Sequence, residues 1–360
     1  MNFIVKDLDK KKSIKKVIIF ISFIFTSLRH LNLLYKNTIN LKDNIKIIFF
    51  IPRISKGWIM EFLIKDLRNS NKNLFLETRY LNNLVLLFLN FFANPKSKIF
   101  CYTHGIAFYL IKRGFRPNDL ILLYTHKKGS LNPVDLNKFH YVLFLNKQSK
   151  EDFISRGLKK EKTHYFPIGY DPKLFKIKNK KTSKKYDLVL ALKYETEDIN
   201  KNYYDRKNYK VLIPLLNKLS KDGLKICMVG RNWDKCKILD EKISCYNLPH
   251  NKTFEIYNQS KYSLCISIEE GGFVGMLETI ACGCKVISHN VGFAKDLKEL
   301  LPEKVTILKF LNSIDSYYQE IKFIINNQNI SENEFENNNE ISKKLSSFHF
   351  ENLSERLLDF

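Results

Sequence analysis

Residues 262–290, YSLCISIEEGGFVGMLETIACGCKVISHN, constrain the fold more tightly than any other stretch of the chain. An apolar run, Leu264–Ile268, leads into two acids and a double glycine. A short run with helical spacing follows, Gly283 closes it, and a second apolar run, Val286–Ile287, comes next. Strand, glycine loop, helix and strand in that order form the repeating unit of a parallel α/β sheet. Glu270 lies in the loop and Glu278 in the helix, eight positions apart. Gly271 and Gly272 let backbone N–H groups approach a ligand closely at a helix N-terminus, which suits a phosphate. The carboxylates suit sugar hydroxyls, because an ionised carboxylate only accepts hydrogen bonds and hydroxyls donate them.

These residues resemble the Glu-x7-Glu motif of retaining glycosyltransferases with the two-Rossmann GT-B fold, the glycosyltransferase family 4 group. The usual form, E-G-F-G-x-x-x-x-E-A-x-A-x-G-x-P-V-I, stands here as E-G-G-F-V-G-M-L-E-T-I-A-C-G-C-K-V-I over Glu270–Ile287. Gly272 is an extra residue before Phe273, Thr279 stands for the usual alanine, and Lys285 for the usual proline. The resemblance implies an α/β chain of two Rossmann-like domains whose parallel sheets face across a cleft. It also implies a nucleotide-diphosphate sugar as donor and retention at the anomeric carbon. Glu278 would accept from the ribose hydroxyls, Glu270 would contact the transferred sugar, and the N–H groups of Gly271, Gly272 and Phe273 would face the phosphates. The competing reading of the same residues is an ordinary Rossmann edge with solvated acids.

With 360 residues and 44% hydrophobic content, the chain is long enough for two domains with cores of their own. A net charge of +23 invites a nucleic-acid reading. The lysines are dispersed, however, without the interleaved aromatics of a single-strand binder. We read the surface as one that favours anionic partners, lipid head groups and sugar diphosphates among them, and not nucleic acid. Seven cysteines show no CxxC spacing. Cys101, Cys227 and Cys265 lie in apolar runs, where a free thiol behaves as a small hydrophobe, and Cys282 with Cys284 is too few ligands for a metal. Reduced cytoplasmic thiols are the expectation.

At the N-terminus, basic Lys10–Lys16 precedes apolar Val17–Leu28. That run is shorter than the ~20 residues a membrane span needs, and no small-residue cleavage site follows it. An interfacial helix at the inner face of the membrane and a core helix both stay open. Residues 1–44 are set apart as this basic and apolar segment, 45–175 as the first, acceptor-binding domain, and 176–185 as a lysine-rich linker. Residues 186–345 form the second, nucleotide-sugar domain. Residues 346–360 carry helical spacing, and in the resembled family such a tail crosses back to the first domain.

Expected strands are Ile45–Ile51, Lys98–Tyr102, Leu120–Tyr124 and Tyr141–Leu145 in the first half, and Tyr186–Leu192, Leu224–Gly230 and Ser244–Leu248 in the second. Trp58–Leu67, Leu84–Phe92, Gln148–Arg156, Tyr209–Leu219 and Phe254–Asn258 are expected helices. A polar loop is expected between Leu192 and Tyr209, and loose order over 331–347.

Without a metal, a diphosphate leaving group needs cations and N–H dipoles. No cofactor or metal is called for; an isolated Asp7-x-Asp9 lies in the basic N-terminus, far from any strand end. The segment from Lys193 to Lys207 resembles the family's paired Arg and Lys that grip the diphosphate. Lys193 stands for the arginine and so lacks its fork geometry. Gly57 sits where that family's first glycine loop faces the diphosphate, and Leu248–His250 where its backbone holds the base. Arg231, at a strand end, lines the cleft or caps the sheet. His104 and His126 each follow a strand, on the ligand side of an open α/β sheet, and the resemblance favours His126 as the residue near the reacting carbon. A glycan or lipid-linked acceptor, in cell-surface polysaccharide assembly, completes the expected reaction. A sugar-nucleotide 2-epimerase of the same fold and a non-catalytic nucleotide-binding scaffold stand as alternatives.

Overall fold

The computed structural model describes residues 98–112, 114–125, 131–178, 184–327, 338–349, 352, 356 and 357, and the backbone of 47–50 and 75–78. Gly57, His126, the segment 1–44 and the expected helices at 58–67 and 84–92 lie outside the described residues. The chain divides into two compact units, residues 1–121 and 122–360.

In the first unit, β1 (Ile47–Phe50) lies between β2 (Phe75–Thr78) and β3 (Lys98–Cys101) and runs parallel to both. A helix, α1 (His104–Lys112), follows β3 and buries Ile106, Ala107 and Leu110, the one-face spacing of an amphipathic helix. β4 (Leu120–Tyr124) is buried at all five positions, as a continuous apolar run in a parallel sheet should be. It carries the chain from the first unit into the second.

The second unit opens with α2 (Pro133–Leu136), β5 (Tyr141–Phe144), α3 (Lys147–Ser155) and β6 (Thr163–Tyr165), with β5 and β6 parallel. Its largest sheet is built from β7 (Tyr186–Ala191), β8 (Ile226–Val229), β9 (Ser244–Tyr246), β10 (Ser260–Cys265), β11 (Lys285–His289) and β12 (Val305–Leu308). The strand order is β12-β11-β10-β7-β8-β9, parallel throughout. The chain winds outward from β7 in one direction and from β10 in the other. The crevice beyond the carboxyl ends of β7 and β10 is therefore the topological switch point, where open α/β sheets bind their ligands.

The connecting helices are α4 (Glu197–Arg206), α5 (Tyr209–Lys221), α6 (Phe254–Asn258), α7 (Val274–Ala281), α8 (Ala294–Leu300) and α9 (Ile314–Asn327), and α10 (Asn338–Lys344) follows. Leu212, Leu216 and Leu219 of α5 pack with Leu188 and Leu190 of β7, Leu264 of β10 and Trp233 into the core on one side of the sheet. Among the described residues no helix is long and apolar enough to cross a membrane.

Two stretches differ from the sequence expectation. The polar segment before Tyr209 contains α4, kinked at Asn200, whose backbone is not helical. Its half-buried aromatic residues Tyr203 and Tyr204 pack against Tyr209 at 6.2 and 5.3 Å, so tertiary packing overrides a polar composition. Residues 338–344 are likewise helical rather than loose, with Ile341 and Leu345 buried beneath an exposed polar face. The chain near the C-terminus is anchored at Tyr170: Tyr170 N–H donates to the Phe348 carbonyl at 2.9 Å, and the Tyr170 hydroxyl meets His349 Nε2 at 3.2 Å.

Candidate functional site

The site is assembled by two segments that follow the carboxyl ends of β7 and β10, joined by residues that follow β4, β5 and β9. After β10 the chain runs through Ile266–Phe273 and enters α7. All eight residues of α7 are buried. Its end is a Schellman motif: Gly283, at φ +89°, donates to the Ile280 carbonyl, and Cys284 donates to Thr279. A positive φ with hydrogen bonds on both sides is the reason for a glycine there. Glu278 is thus fixed on a rigid helix, while Glu270 sits in the loop before it.

The turn between α4 and α5 docks onto that loop. Asn208 takes a left-handed conformation, φ 59°, and its side-chain amide donates to the Ile266 carbonyl at 3.2 Å. Ile268 N–H donates to the Arg206 carbonyl at 2.9 Å. These bonds bring two cations to one acid. Arg206 Nη1 donates to Glu270 Oε2 at 2.8 Å and to the Glu269 carbonyl at 3.1 Å, and the Lys207 ammonium bonds Glu270 Oε1. The Glu270 and Lys207 side chains are each only 7% exposed, so solvent screens the pair weakly. Burial alone would push the Glu270 carboxyl up, but Lys207 and Arg206 outweigh it and hold the group below its ordinary pKa.

Gly271 explains the shape of the loop. A Cβ there would lie 1.4 Å from the Thr125 carbonyl oxygen, just past β4. The Gly271 carbonyl accepts from Asn146 Nδ2 at 2.7 Å. Asn146 Oδ1 meanwhile caps α3 by accepting from Ser149 N–H at 2.7 Å. The double glycine therefore serves a close approach between two backbone segments of the same chain. The N–H groups of Gly271, Gly272 and Phe273 donate to no acceptor among the described residues. A cavity of about 170 Å³ adjoins the loop, lined by Tyr124, Asn146, Ser149, Glu269, Glu270 and Asn290 among others.

Glu278 has a different partner. His250 Nε2 lies 2.5 Å from Glu278 Oε1. Burial pushes the Glu278 carboxyl above its ordinary pKa, with the His250 contact opposing that shift. For His250 burial lowers the pKa, but the Glu278 hydrogen bond and charge together with Asp171 outweigh it and raise it.

Of the residues singled out in the sequence, Lys207, Glu270, Gly271, Gly272 and Phe273 come together, with Lys207 5.3 Å from the centre of the Phe273 ring. Lys193 follows β7, yet its ammonium pairs with Glu195 at 2.5 Å. The Tyr203 ring lies between it and the cluster, 4.7 Å from Lys193, 5.3 Å from Arg206 and 5.5 Å from Lys207. Arg231 follows β8 and is exposed; its carbonyl accepts from Tyr194 N–H at 2.8 Å. His104 opens α1 in the first unit, its ring edge-on to Phe108. His126 and Gly57 are outside the described residues.

Sequence reasoning misses three contributors: Arg206, Asn146 and the side chain of His250. Arg206 is adjacent to a chosen lysine, and a helix ending in Arg-Lys-Asn is a legible signal for a turn that presents both cations. Asn146 precedes a helical run as an N-cap should, but nothing in the sequence ties it to Gly271, 125 residues away.

No family profile and no curated protein matches the chain. Solved structures do. HepE of Anabaena, solved in complex with UDP, matches at TM-score 0.61 and 14% identity, over 88% of this chain and 99% of that one. Sucrose-phosphate synthase from Thermosynechococcus elongatus matches at TM-score 0.63 and 13% identity, over 88% and 98%. A glycosyltransferase from Rickettsia africae matches at TM-score 0.62 and 13% identity, over 88% and 97%. At such identities the likeness speaks to architecture, and with the parallel sheets of both units it establishes that this chain has the GT-B fold.

Proposed function

We propose that the protein is a glycosyltransferase that moves a sugar from a nucleotide-diphosphate sugar to a glycan or lipid-linked acceptor, with retention and without a metal. The observation that carries this reading is the cluster at the switch point. Arg206 and Lys207 converge on Glu270 beside three N–H groups that have no acceptor among the described residues. A leaving diphosphate gains negative charge in the transition state, and preorganised cations and N–H dipoles stabilise that charge more than they stabilise the bound donor. Arg206 supplies the planar fork that Lys193 cannot. Glu270 uses one lone pair per oxygen on the two cations, which leaves acceptor capacity for hydroxyls of the transferred sugar. Glu278 is assigned to the ribose hydroxyls. His126, which directly follows Thr125 in the sequence, is assigned to the reacting face of the sugar. The solved structures of similar fold include HepE with UDP-glucose and a pneumococcal O-GlcNAc transferase with UDP and GlcNAc, which supports a nucleotide sugar as the donor class.

A role in cell-surface polysaccharide assembly is assigned by analogy with the resembled family, and the basic, apolar sequence at the N-terminus supports it because such a sequence suits attachment to an anionic membrane surface. The test is a panel of nucleotide sugars, read by thermal stabilisation and then by transfer in the presence of chelator. A donor that raises the melting temperature and turns over in chelator supports the proposal, since a ligand that binds only the folded state stabilises it. Turnover abolished by chelator and restored by magnesium or manganese overturns the metal-free mechanism. The absence of stabilisation by every nucleotide sugar overturns the function.

A further inference from the structure

We propose that His250 is a positioning residue for Glu278: its imidazole occupies one carboxylate oxygen and so leaves the other oriented toward the ribose hydroxyls of a bound nucleotide. This rests on the reading of Glu278 as the ribose acceptor. Both partners are held rigidly. Glu278 is 4% exposed on a helix buried at every position. His250 opens a short 3-10 turn whose carbonyl accepts from the Thr253 hydroxyl at 2.9 Å and from Thr253 N–H at 3.2 Å. The Phe175 ring packs on the imidazole at 5.2 Å between centres and stacks on Tyr257 at 6.1 Å, which fixes the ring plane. With both backbones hydrogen-bonded and the ring packed on Phe175, the 2.5 Å contact from Nε2 to Glu278 Oε1 selects one carboxylate orientation. Glu278 Oε2 has no hydrogen-bond partner among the described residues.

An ionised carboxylate accepts from hydroxyls at both oxygens, whereas protonation turns one oxygen into a donor and weakens the other as an acceptor; burial works against ionisation at Glu278. His250 opposes that effect. The charged and titratable groups around the pair are Asp171, in the loop after Tyr170, and Tyr257 on α6 and Cys282 at the end of α7, the last two interacting with Glu278. Lys252, in the same turn as His250, is directed at Glu255 at 3.6 Å. Removing His250 takes away the one basic partner of Glu278 among them. Protonation of Glu278 then competes with nucleotide binding from a higher pH than in the native protein.

The experiment measures dissociation constants of UDP, GDP and ADP for the full chain, from mildly acidic to mildly alkaline pH, in the native protein and in His250→Ala, His250→Gln and Glu278→Gln. The tightest of the three nucleotides is carried forward. For His250→Ala the acid limb of the binding profile should move up by about one pH unit, which is about a tenfold weaker affinity on the acid side, and the deficit should narrow on the alkaline side to the smaller loss that comes from the carboxylate's lost orientation. His250→Gln restores a neutral donor but no charge. It should recover part of the affinity near neutrality and keep the displaced limb. A purely structural role for His250 would weaken binding by the same factor at every pH, and that result overturns the proposal, as does an unmoved limb in His250→Ala. If His250→Ala does not fold, the limb of His250→Gln decides by the same criterion. Glu278→Gln separates the two levels of the argument. Native-like affinity in that variant removes the ribose reading, and this proposal with it. Weakened affinity in Glu278→Gln beside an unmoved limb in the His250 variants removes this proposal alone.

Discussion

Glu270 and Glu278 are the same residue type, eight positions apart, and both side chains are almost fully withdrawn from water, at 7% and 5% exposure. Their surroundings push them in opposite directions. Glu270 sits against a guanidinium and an ammonium and is held below its ordinary pKa; Glu278 faces one histidine and is raised by burial. Partners rather than depth therefore decide which of the two acids ionises more readily. The difference suits the proposed division of labour: Glu270 locks the cations that meet a diphosphate, whereas Glu278 has an oxygen to spare for a neutral sugar.

The largest expected effect is on Glu270→Gln. That change leaves Arg206 and Lys207 facing each other without their counter-charge. Removing one partner of a buried ion pair costs about 3–5 kcal/mol, and chemical denaturation at neutral pH should show a loss of that order. Glu270 has a depressed folded pKa, so its contribution is present above the unfolded value near ~4.3 and is lost as pH falls through the folded value. The native and Glu270→Gln stability curves should therefore converge in acid. For Glu278 the sign is reversed: the folded state holds the proton more tightly, so stability from that group is lost as pH rises through its raised pKa. Glu278→Gln should consequently cost little or nothing at neutral pH. A Glu278→Gln variant less stable than Glu270→Gln would break the comparison.

Next in size is the seat of the loop that carries Glu270. Gly271→Ala places a methyl 1.4 Å from a backbone oxygen, which cannot swing aside. Overpacking of this kind costs about 1–3 kcal/mol, at the upper end in this loop because backbone must move. Gly272→Ala meets the Phe293 ring at 2.8 Å and the Leu145 side chain at 3.2 Å, both able to shift, so it should cost less. Thermal melts of the two variants give the ranking. The reverse order would mean that Thr125 is not what fixes the Glu270 loop.

Comparable in size, but read in binding rather than stability, is Glu278→Gln on nucleotide affinity. Loss of a charged hydrogen-bond acceptor should weaken the donor by roughly 1–3 kcal/mol, measured by calorimetry. An unchanged dissociation constant would leave Glu278 as a structural partner of His250 and remove the functional half of the contrast.

Much of the scaffold around the two acids is legible in the chain. β4 and α6 fall on the residues expected from apolar runs and helical spacing, and β5, β7 and α3 lie within a residue or so of their expected ends. Period and composition report local structure directly. Gly283 ends its helix as the sequence implies, because a helix C-terminus has a local chemical signature. What is not legible depends on distant partners. Arg206 joins Glu270 across 64 positions, and Asn146 joins Gly271 across 125. Both follow from how the switch point folds together, not from any local pattern. The α4 sequence reads as loop because it is polar, and its half-buried tyrosines are held by packing on Tyr209 of α5 rather than by periodicity of their own.

The smallest expected effect is on Lys193→Ala, and it tests the point at which sequence pattern and geometry assign a cation differently. By sequence Lys193 stands where a diphosphate-gripping arginine would be. In the structure its side chain is 35% exposed and paired with Glu195, and the Tyr203 ring separates it from Glu270. A partly exposed pair of this kind contributes about 1 kcal/mol or less to stability, so a melt should barely move. Lys207 is buried against Glu270 and adjacent to the N–H groups of the glycine loop, so Lys207→Ala should lower transfer far more than Lys193→Ala does. Arg206→Lys should fall between them, since it keeps the charge and loses the fork. Steady-state transfer rates on the three variants, at saturating donor, give the order directly. If Lys193→Ala proves as damaging as Lys207→Ala, the diphosphate reaches across Tyr203 to Lys193, and the gripping cation is Lys193, as its place in the sequence pattern suggests, rather than Arg206.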